Sequence, residues 1–211
     1  ECPMVIANMS KKEHDLSKPQ RLSSCGRPSP WIHMSLRDPQ GNEVAKGEAG
    51  EICIRGPLVM KGYKDMPEQT AEAFAGGWLH TGDVGKLDED GFLYIVDRTK
   101  DMIVTGGFNV FPREVEDVLS THEAVGQVVV IGVPDEQWGE AVKAVIVLKP
   151  NVAASDELVA AMQALVKKAK GSVQSPKSID FVSGIPLTPV GKPDKTAVRA
   201  QYWKGSERGA G

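Results

Sequence analysis

The sequence predicts an α/β (α+β) protein in two parts, a β-rich stretch over residues 1–99 and a small α/β domain over residues 100–211. Three observations predict this. Up to about Lys100, short apolar pieces are cut every few residues by Pro, Gly and Ser, which is how strands and turns are punctuated. Beyond Lys100, β-branched runs alternate with stretches of helical period, as strands packed on helices require. Between the two lies DRTKD, Asp97–Asp101, a charge-rich seam that places the boundary. A chain of 211 residues is long enough to bury a proper core as one large domain or two small ones.

In order along the chain, residues 1 to about 50 hold the apolar pieces MVIANM and WIHMSLRD, with DPQGNE as the turn of an expected hairpin. EICIRG alternates and reads as a strand ending at Gly56-Pro57. PEQTAEAF reads as a short helix with Pro67 in its first turn, where the missing N–H has no helical partner anyway. GGWLHTGD reads as a loop, and EDGFLYIVD as a turn followed by a strand. MIVTGG reads as a strand running into a glycine pair. PREVEDVLSTH then reads as a helix opened by Pro112, with Val115, Val118 and Leu119 on one face. QVVVIGV and AVKAVIVL are strands by their β-branched content. Ser155 caps DELVAAMQALVKKAK, whose Leu158, Met162, Leu165, Val166 and Ala169 keep helical spacing and which Gly171 stops. KSIDFV is a further strand, PLTPVGKPDK a proline-studded loop, and a short helix runs to about Trp203 before a frayed tail, GSERGAG.

Composition narrows the function. With 41% hydrophobic and 25% charged residues and a net charge of −3, the chain offers no electrostatic case for nucleic acid. Lys167, Lys168 and Lys170 read as cations at the negative pole of a helix end. Cys2, Cys25 and Cys53 are odd in number and contain no CxxC pair. That argues against a disulfide framework or a structural zinc site and for a reducing, cytoplasmic compartment. His14, His33, His80 and His122 are scattered without metal-ligand spacing. The longest apolar run, near VVVIGV, is far too short to cross a bilayer.

Five places carry candidate chemistry, and each has a plainer reading. The carboxylate of TGD, Thr81–Asp83, matches the two hydroxyls of a ribose, although the tripeptide alone more often turns a loop. Arg98 presents a fixed fork of donors suited to ribose or phosphate oxygens, while an isolated Asp97-Arg98 pair is more often a strand-end ion pair. Gly106-Gly107 reads equally as a strand-to-helix turn and as bare backbone over which a long thin ligand passes; it does not fit GxGxxG. In GKPDK, Lys192 lies between Gly and Pro on a stiff loop and can set one compact positive charge against a transient anion, although an exposed lysine is usually only solvated. Trp138 reads as a half-buried packing residue whose ring could stack on an adenine.

Read together, EICIRGPLVMKGYKDMPEQT, GGWLHTGD, DGFLYIVDRTKDMIVTGGFNVFPREVE and PLTPVGKPDK resemble successive signature segments of the adenylate-forming superfamily. This is the family of acyl-CoA synthetases, luciferases and peptide-synthetase adenylation domains. The resemblance runs through nearly the whole chain in the right order. It implies activation of a carboxylic acid by ATP with Mg2+, giving an acyl-adenylate, AMP and pyrophosphate, and transfer of the acyl group to coenzyme A. It implies that Asp83 holds the ribose hydroxyls, that Arg98 and Thr81 assist, and that Lys192 bridges the carboxylate and the α-phosphate. Lys100 matches the hinge of a mobile small domain. Gly106 and Gly107 match the lining of the pantetheine tunnel, with Trp138 near the CoA nucleotide. Glu1 matches a magnesium-binding glutamate.

The family's phosphate loop and acyl pocket have no counterpart in these residues, so the chain is expected to be the last two-fifths of such an enzyme, inactive alone. The rival readings are an adenylation domain serving a carrier protein and a non-catalytic interaction module. FNVFPREVE and the lack of a carrier segment favour the ligase. The sequence specifies neither the acid nor an oligomeric state.

Overall fold

The computed structural model describes residues 1–2 and 6–203; the tail GSERGAG and part of MVIANM lie outside them. The fold is mixed α/β in two compact units, Glu1–Thr99 and Lys100–Gly211.

In the first unit, β1 (Ala7–Asn8) and β2 (Arg27–Pro28) form a short antiparallel pair. The main sheet is antiparallel, built from β3 (His33–Arg37), β4 (Gly50–Arg55), β5 (Leu79–Leu87) and β6 (Leu93–Arg98) in that spatial order, with α1 (Pro67–Ala73) between β4 and β5 in the chain. The alternation of EICIRG has its usual cause: Ile52 and Ile54 enter a core with Ile32, Leu36, Leu79 and Leu93, and Glu51, Cys53 and Arg55 take the opposite face.

One expectation fails here. GGWLHTGD is not a loop, because Leu79 to Asp83 belong to β5. Gly82, read as part of that loop, sits inside the strand at φ +71, a conformation side chains resist. It lies near two slips of register, one between Glu51 and Cys53 on β4 and one between Val84 and Gly85 on β5.

The second unit begins with β7 (Ile103–Thr105) and β8 (Phe108–Val110), then α2 (Pro112–Ser120), β9 (Val125–Asp135), β10 (Gly139–Leu148), α3 (Asp156–Lys170), β11 (Ser178–Phe181) and α4 (Lys195–Tyr202). β10 is antiparallel to β9 along its length and parallel to β11 on its other edge, where β7 also touches it at Gly139↔Thr105. Both faces of this sheet are covered, which is why β9 and β10 read as unbroken apolar runs. Val130, Val142, Ala144 and Ile146 pack with α2 and α3 through Val115, Leu119, Met162 and Val166. Val129, Ile131 and Val145 pack with Val198 of α4. Ser155 caps α3 through Leu158 N at 3.2 Å, as its sequence requires. Ala169, assigned to the apolar stripe of α3, is exposed: the stripe ends one turn earlier, at Val166.

Gly106-Gly107 is also corrected. The pair does not join a strand to a helix; it is the two-residue turn of the β7–β8 hairpin, with φ of +56 and +82. Two successive left-handed positions are what a tight hairpin turn needs, and glycine supplies both without steric cost. The helix follows only after β8.

Candidate active site

Asp83 and Arg98 are register partners across β5 and β6, and Arg98 Nε donates to Asp83 Oδ1 at 3.1 Å. The strand-end ion pair foreseen as the plain reading of Arg98 is therefore present, and its partner is the other nucleotide candidate. Both side chains remain about half exposed, Arg98 at 54% and Asp83 at 42%, so Asp83 keeps Oδ2 and Arg98 keeps further N–H donors for a ligand. Thr81 is committed inward: its hydroxyl donates to Ile52 O at 2.8 Å and accepts from Asp83 N at 3.2 Å. It positions Asp83 and does not offer its own proton. Asp83, Thr81, Ile52, Leu93 and Ile95 line a cavity of ≈ 290 Å³ whose wall is largely apolar.

Glu1 is exposed; its Oε1 accepts a hydrogen bond from the Tyr63 hydroxyl, which pushes the Tyr63 phenol above its ordinary pKa. Lys100 begins the second unit in a single helical turn, Thr99–Asp101, and its carbonyl accepts from Arg199 Nη1 at 3.4 Å.

Gly106 and Gly107 differ in their surroundings. Trp138 lies over Gly106, so that a Cβ there would meet the indole Cε3 at 2.6 Å, and Gly106 N donates to Trp138 O at 2.9 Å. Gly106 is bare because of that ring. A Cβ on Gly107 would meet nothing within 4 Å. Trp138 itself is 45% exposed, and Phe108 and Val104 of the β7–β8 hairpin are exposed as well.

Lys192 occupies a tight turn. Thr188 N donates to Lys192 O at 2.7 Å, Gly191 N to Thr188 O at 2.8 Å, and Leu187 bridges to Pro193. Asp194 then caps α4 through Ala197 N at 3.0 Å. Among the described residues the Lys192 ammonium has no carboxylate partner, whereas Lys195, three residues on, is bound to Glu116 at 3.0 Å.

The sequence reading missed Glu51 and His80. Glu51 Oε1 accepts from Gly82 N at 3.1 Å, and Oε2 lies 2.7 Å from His80 Nδ1, so the pair braces the backbone between Thr81 and Asp83. Only strand register brings residues 51 and 80 together, and no spacing in the sequence announces it.

Comparison with known proteins agrees with this architecture. Residues 1–64 match the family described as AMP-binding enzyme, and residues 114–192 match the AMP-binding enzyme C-terminal domain; between them they span more than half of the chain. A medium/long-chain-fatty-acid–CoA ligase of Mycobacterium tuberculosis is 55% identical over all of this chain and 37% of its own length. A long-chain-fatty-acid–CoA ligase of Salmonella typhimurium is 44% identical over 91% of this chain and 33% of its own. Among solved structures, the amide bond synthetase McbA from Marinactinospora thermotolerans superposes with a TM-score of 0.80 at 40% identity, over 93% of this chain and 39% of its own. The chain belongs to the adenylate-forming, AMP-binding enzymes. It spans about a third of the length of these relatives.

Proposed function

We propose that this chain is the C-terminal part of an ATP-dependent acyl-CoA synthetase that converts a fatty or aromatic acid, ATP and coenzyme A into acyl-CoA, AMP and pyrophosphate. The observation that carries the reading is Asp83, paired with Arg98 and lining an open cavity, in a chain whose relatives include fatty-acid–CoA ligases. Asp83 Oδ2 accepts from ribose hydroxyls, and Arg98 holds Asp83 in place while adding a donor. Thr81 fixes the backbone beneath them.

In the first step the carboxylate oxygen attacks the α-phosphorus and pyrophosphate leaves. Both reactants are anions, so their approach is opposed. The ammonium of Lys192, uncommitted to any carboxylate among the described residues and carried on a stiff turn, offsets that repulsion where the new bond forms. Glu1, exposed with one oxygen held by Tyr63 and the other without a partner among the described residues, fits a Mg2+ ion taken mainly through phosphate and water oxygens. Such an ion supplies charge neutralisation at the phosphates.

In the second step the thiol of coenzyme A displaces AMP. Gly107, with open space where a side chain would stand, provides bare backbone for the pantetheine arm, and Trp138 an exposed ring for the nucleotide. Lys100, first residue of the second unit, is the proposed hinge. A cytoplasmic setting goes with free thiols at Cys25 and Cys53. No helix among the described residues is long and apolar enough to cross a membrane.

The test uses the longer protein that contains this chain. It should exchange pyrophosphate into ATP only when a fatty or aromatic acid is added, and should form acyl-CoA when coenzyme A follows. Exchange independent of any acid overturns the proposal. In the same protein, Gly107→Leu should spare exchange and depress thioester formation; unchanged thioester formation removes the tunnel role.

A further inference from the structure

Glu51, Cys53 and His80 lie together on one face of the β4–β5 pair, and the proposed chemistry gives Cys53 no task. Glu51 and Cys53 alternate on β4, and His80 is the direct register partner of Cys53 on β5. Cys53 Sγ is 3.5 Å from His80 Nδ1, Glu51 Oε2 is 2.7 Å from the same nitrogen, and one ligand atom from each residue falls within 4.8 Å of the others. We propose that these three side chains form a binding site for a thiophilic divalent cation of the Zn2+ type.

The spacing supports a tetrahedral ion. Bonds of about 2.3 Å to sulfur and about 2.0 Å to nitrogen place those two ligands about 3.5 Å apart. The Cys53–His80 pair already stands at 3.5 Å. Glu51 must withdraw by less than about 1 Å to exchange its hydrogen bond for a metal bond. The surroundings provide the outer contacts that metal ligands use. His80 Nε2 is 3.2 Å from the Ala75 carbonyl; donating there fixes the ring and leaves the Nδ1 lone pair on the side of Cys53 and Glu51. Glu51 Oε1 is held by Gly82 N–H while Oε2 remains for the ion. Three protein ligands leave one position for water.

The mixed sulfur, nitrogen and oxygen set distinguishes this site from a Mg2+ site, which takes oxygen only. Cys53 has no exposed surface, but the side chains of His80 and Glu51 are 27% and 19% exposed and give an ion its approach. Burial, then the charge of Glu51, pushes the Cys53 thiol up to about 12, opposed by Arg37 of β3. The thiol therefore stays protonated at neutral pH until an ion displaces its proton. Binding releases at least the Cys53 proton and tightens as pH rises.

The test uses the 211-residue chain, free of any metal-binding tag, titrated with Zn2+ alone and with Co2+ as a spectroscopic substitute. The expected result is one equivalent bound, with thiolate-to-cobalt charge-transfer absorption. Both His80→Gln and Cys53→Ser should weaken Zn2+ binding about tenfold or more, and Cys25→Ser should not. Because Cys53 is fully buried, the cobalt spectrum of the unaltered chain decides the point even where Cys53→Ser does not fold. Failure to bind Zn2+ stoichiometrically, cobalt binding without the thiolate band, or undiminished affinity in His80→Gln each overturns the site.

Discussion

Asp83 and Lys192 are both exposed charges, yet the chain holds them in opposite ways. Asp83 is fixed from several directions: by the β5–β6 register, by the Arg98 guanidinium and by the Thr81 hydroxyl at its own N–H. Lys192 is fixed only through its backbone, in a turn closed by Thr188 and Pro193, and its ammonium meets no carboxylate among the described residues. The neighbouring Lys195 makes the contrast sharper, since its side chain is 19% exposed and spans to Glu116. A short motif with two lysines thus contains one that builds the fold and one that does not. A ribose is bound through both stages of such a reaction and suits a permanent, partnered acceptor. A cation needed only while two anions join is best left without a competing anion.

Apart from the joining step itself, the largest effect that would break this comparison is on nucleotide binding. Asp83→Ala in the longer protein should weaken ATP about 10- to 100-fold, the worth of a charge-assisted hydrogen bond. An unchanged KM for ATP would show that the Asp83–Arg98 pair is only a strand-end ion pair. The second effect is on stability. Lys195→Ala should cost the 211-residue chain about 1–1.5 kcal/mol by urea unfolding, since it removes one mostly covered contact from Glu116, which keeps the Val130 N–H. Lys192→Ala should stay within about 0.5 kcal/mol of the unaltered chain. Equal costs would dissolve the distinction between the two lysines.

The third and smallest effect concerns another shielded group in the second unit. Tyr202 donates to Asp180 Oδ2 at 2.8 Å, and Lys143 reaches Asp180 Oδ1 at the same distance. Burial, then the hydrogen bond and charge of Asp180, pushes the Tyr202 phenol from 10.0 to about 12. A folded-state value above the unfolded one stabilises the protein below pH 10.0 and is lost as pH rises toward about 12. Tyr202→Phe should flatten the fall of stability across that interval. Asp180 bears on the opposite end of the scale. Burial raises its carboxyl, but the hydrogen bonds from Lys143 and Tyr202 outweigh that and hold it below 3.8, so its contribution is lost only in more acid solution.

How much the sequence reveals depends on where the determining contact lies. α3 is legible because its cap, stripe and stop are all local: Ser155, Met162 with Val166, and Gly171. β9 and β10 are legible because burial on both faces demands continuous β-branched residues. β8 is hidden because three residues, Phe108–Val110, are too few to show a period, and so the glycine pair is misread as leading straight into a helix. Gly82 is misread because a glycine inside a strand looks like one that ends it. At the site, Asp83, Arg98 and Lys192 are nominated by their flanking motifs, while the Asp83–Arg98 pairing and the Lys192 turn emerge only from the fold. The Glu51–His80 brace and the approach of Cys53 arise from pairing between residues 29 and 27 positions apart, which pattern within a segment does not encode.

The central claim is that Lys192 serves the joining of carboxylate and nucleotide and nothing else. The direct measurement is Lys192→Ala in the longer protein, with the two half-reactions followed separately. Acyl-adenylate formation should slow by about 10²- to 10³-fold, while thioester formation from supplied acyl-adenylate and coenzyme A keeps its rate. Adenylate formation at the unaltered rate, or an equal loss in both half-reactions, would contradict it.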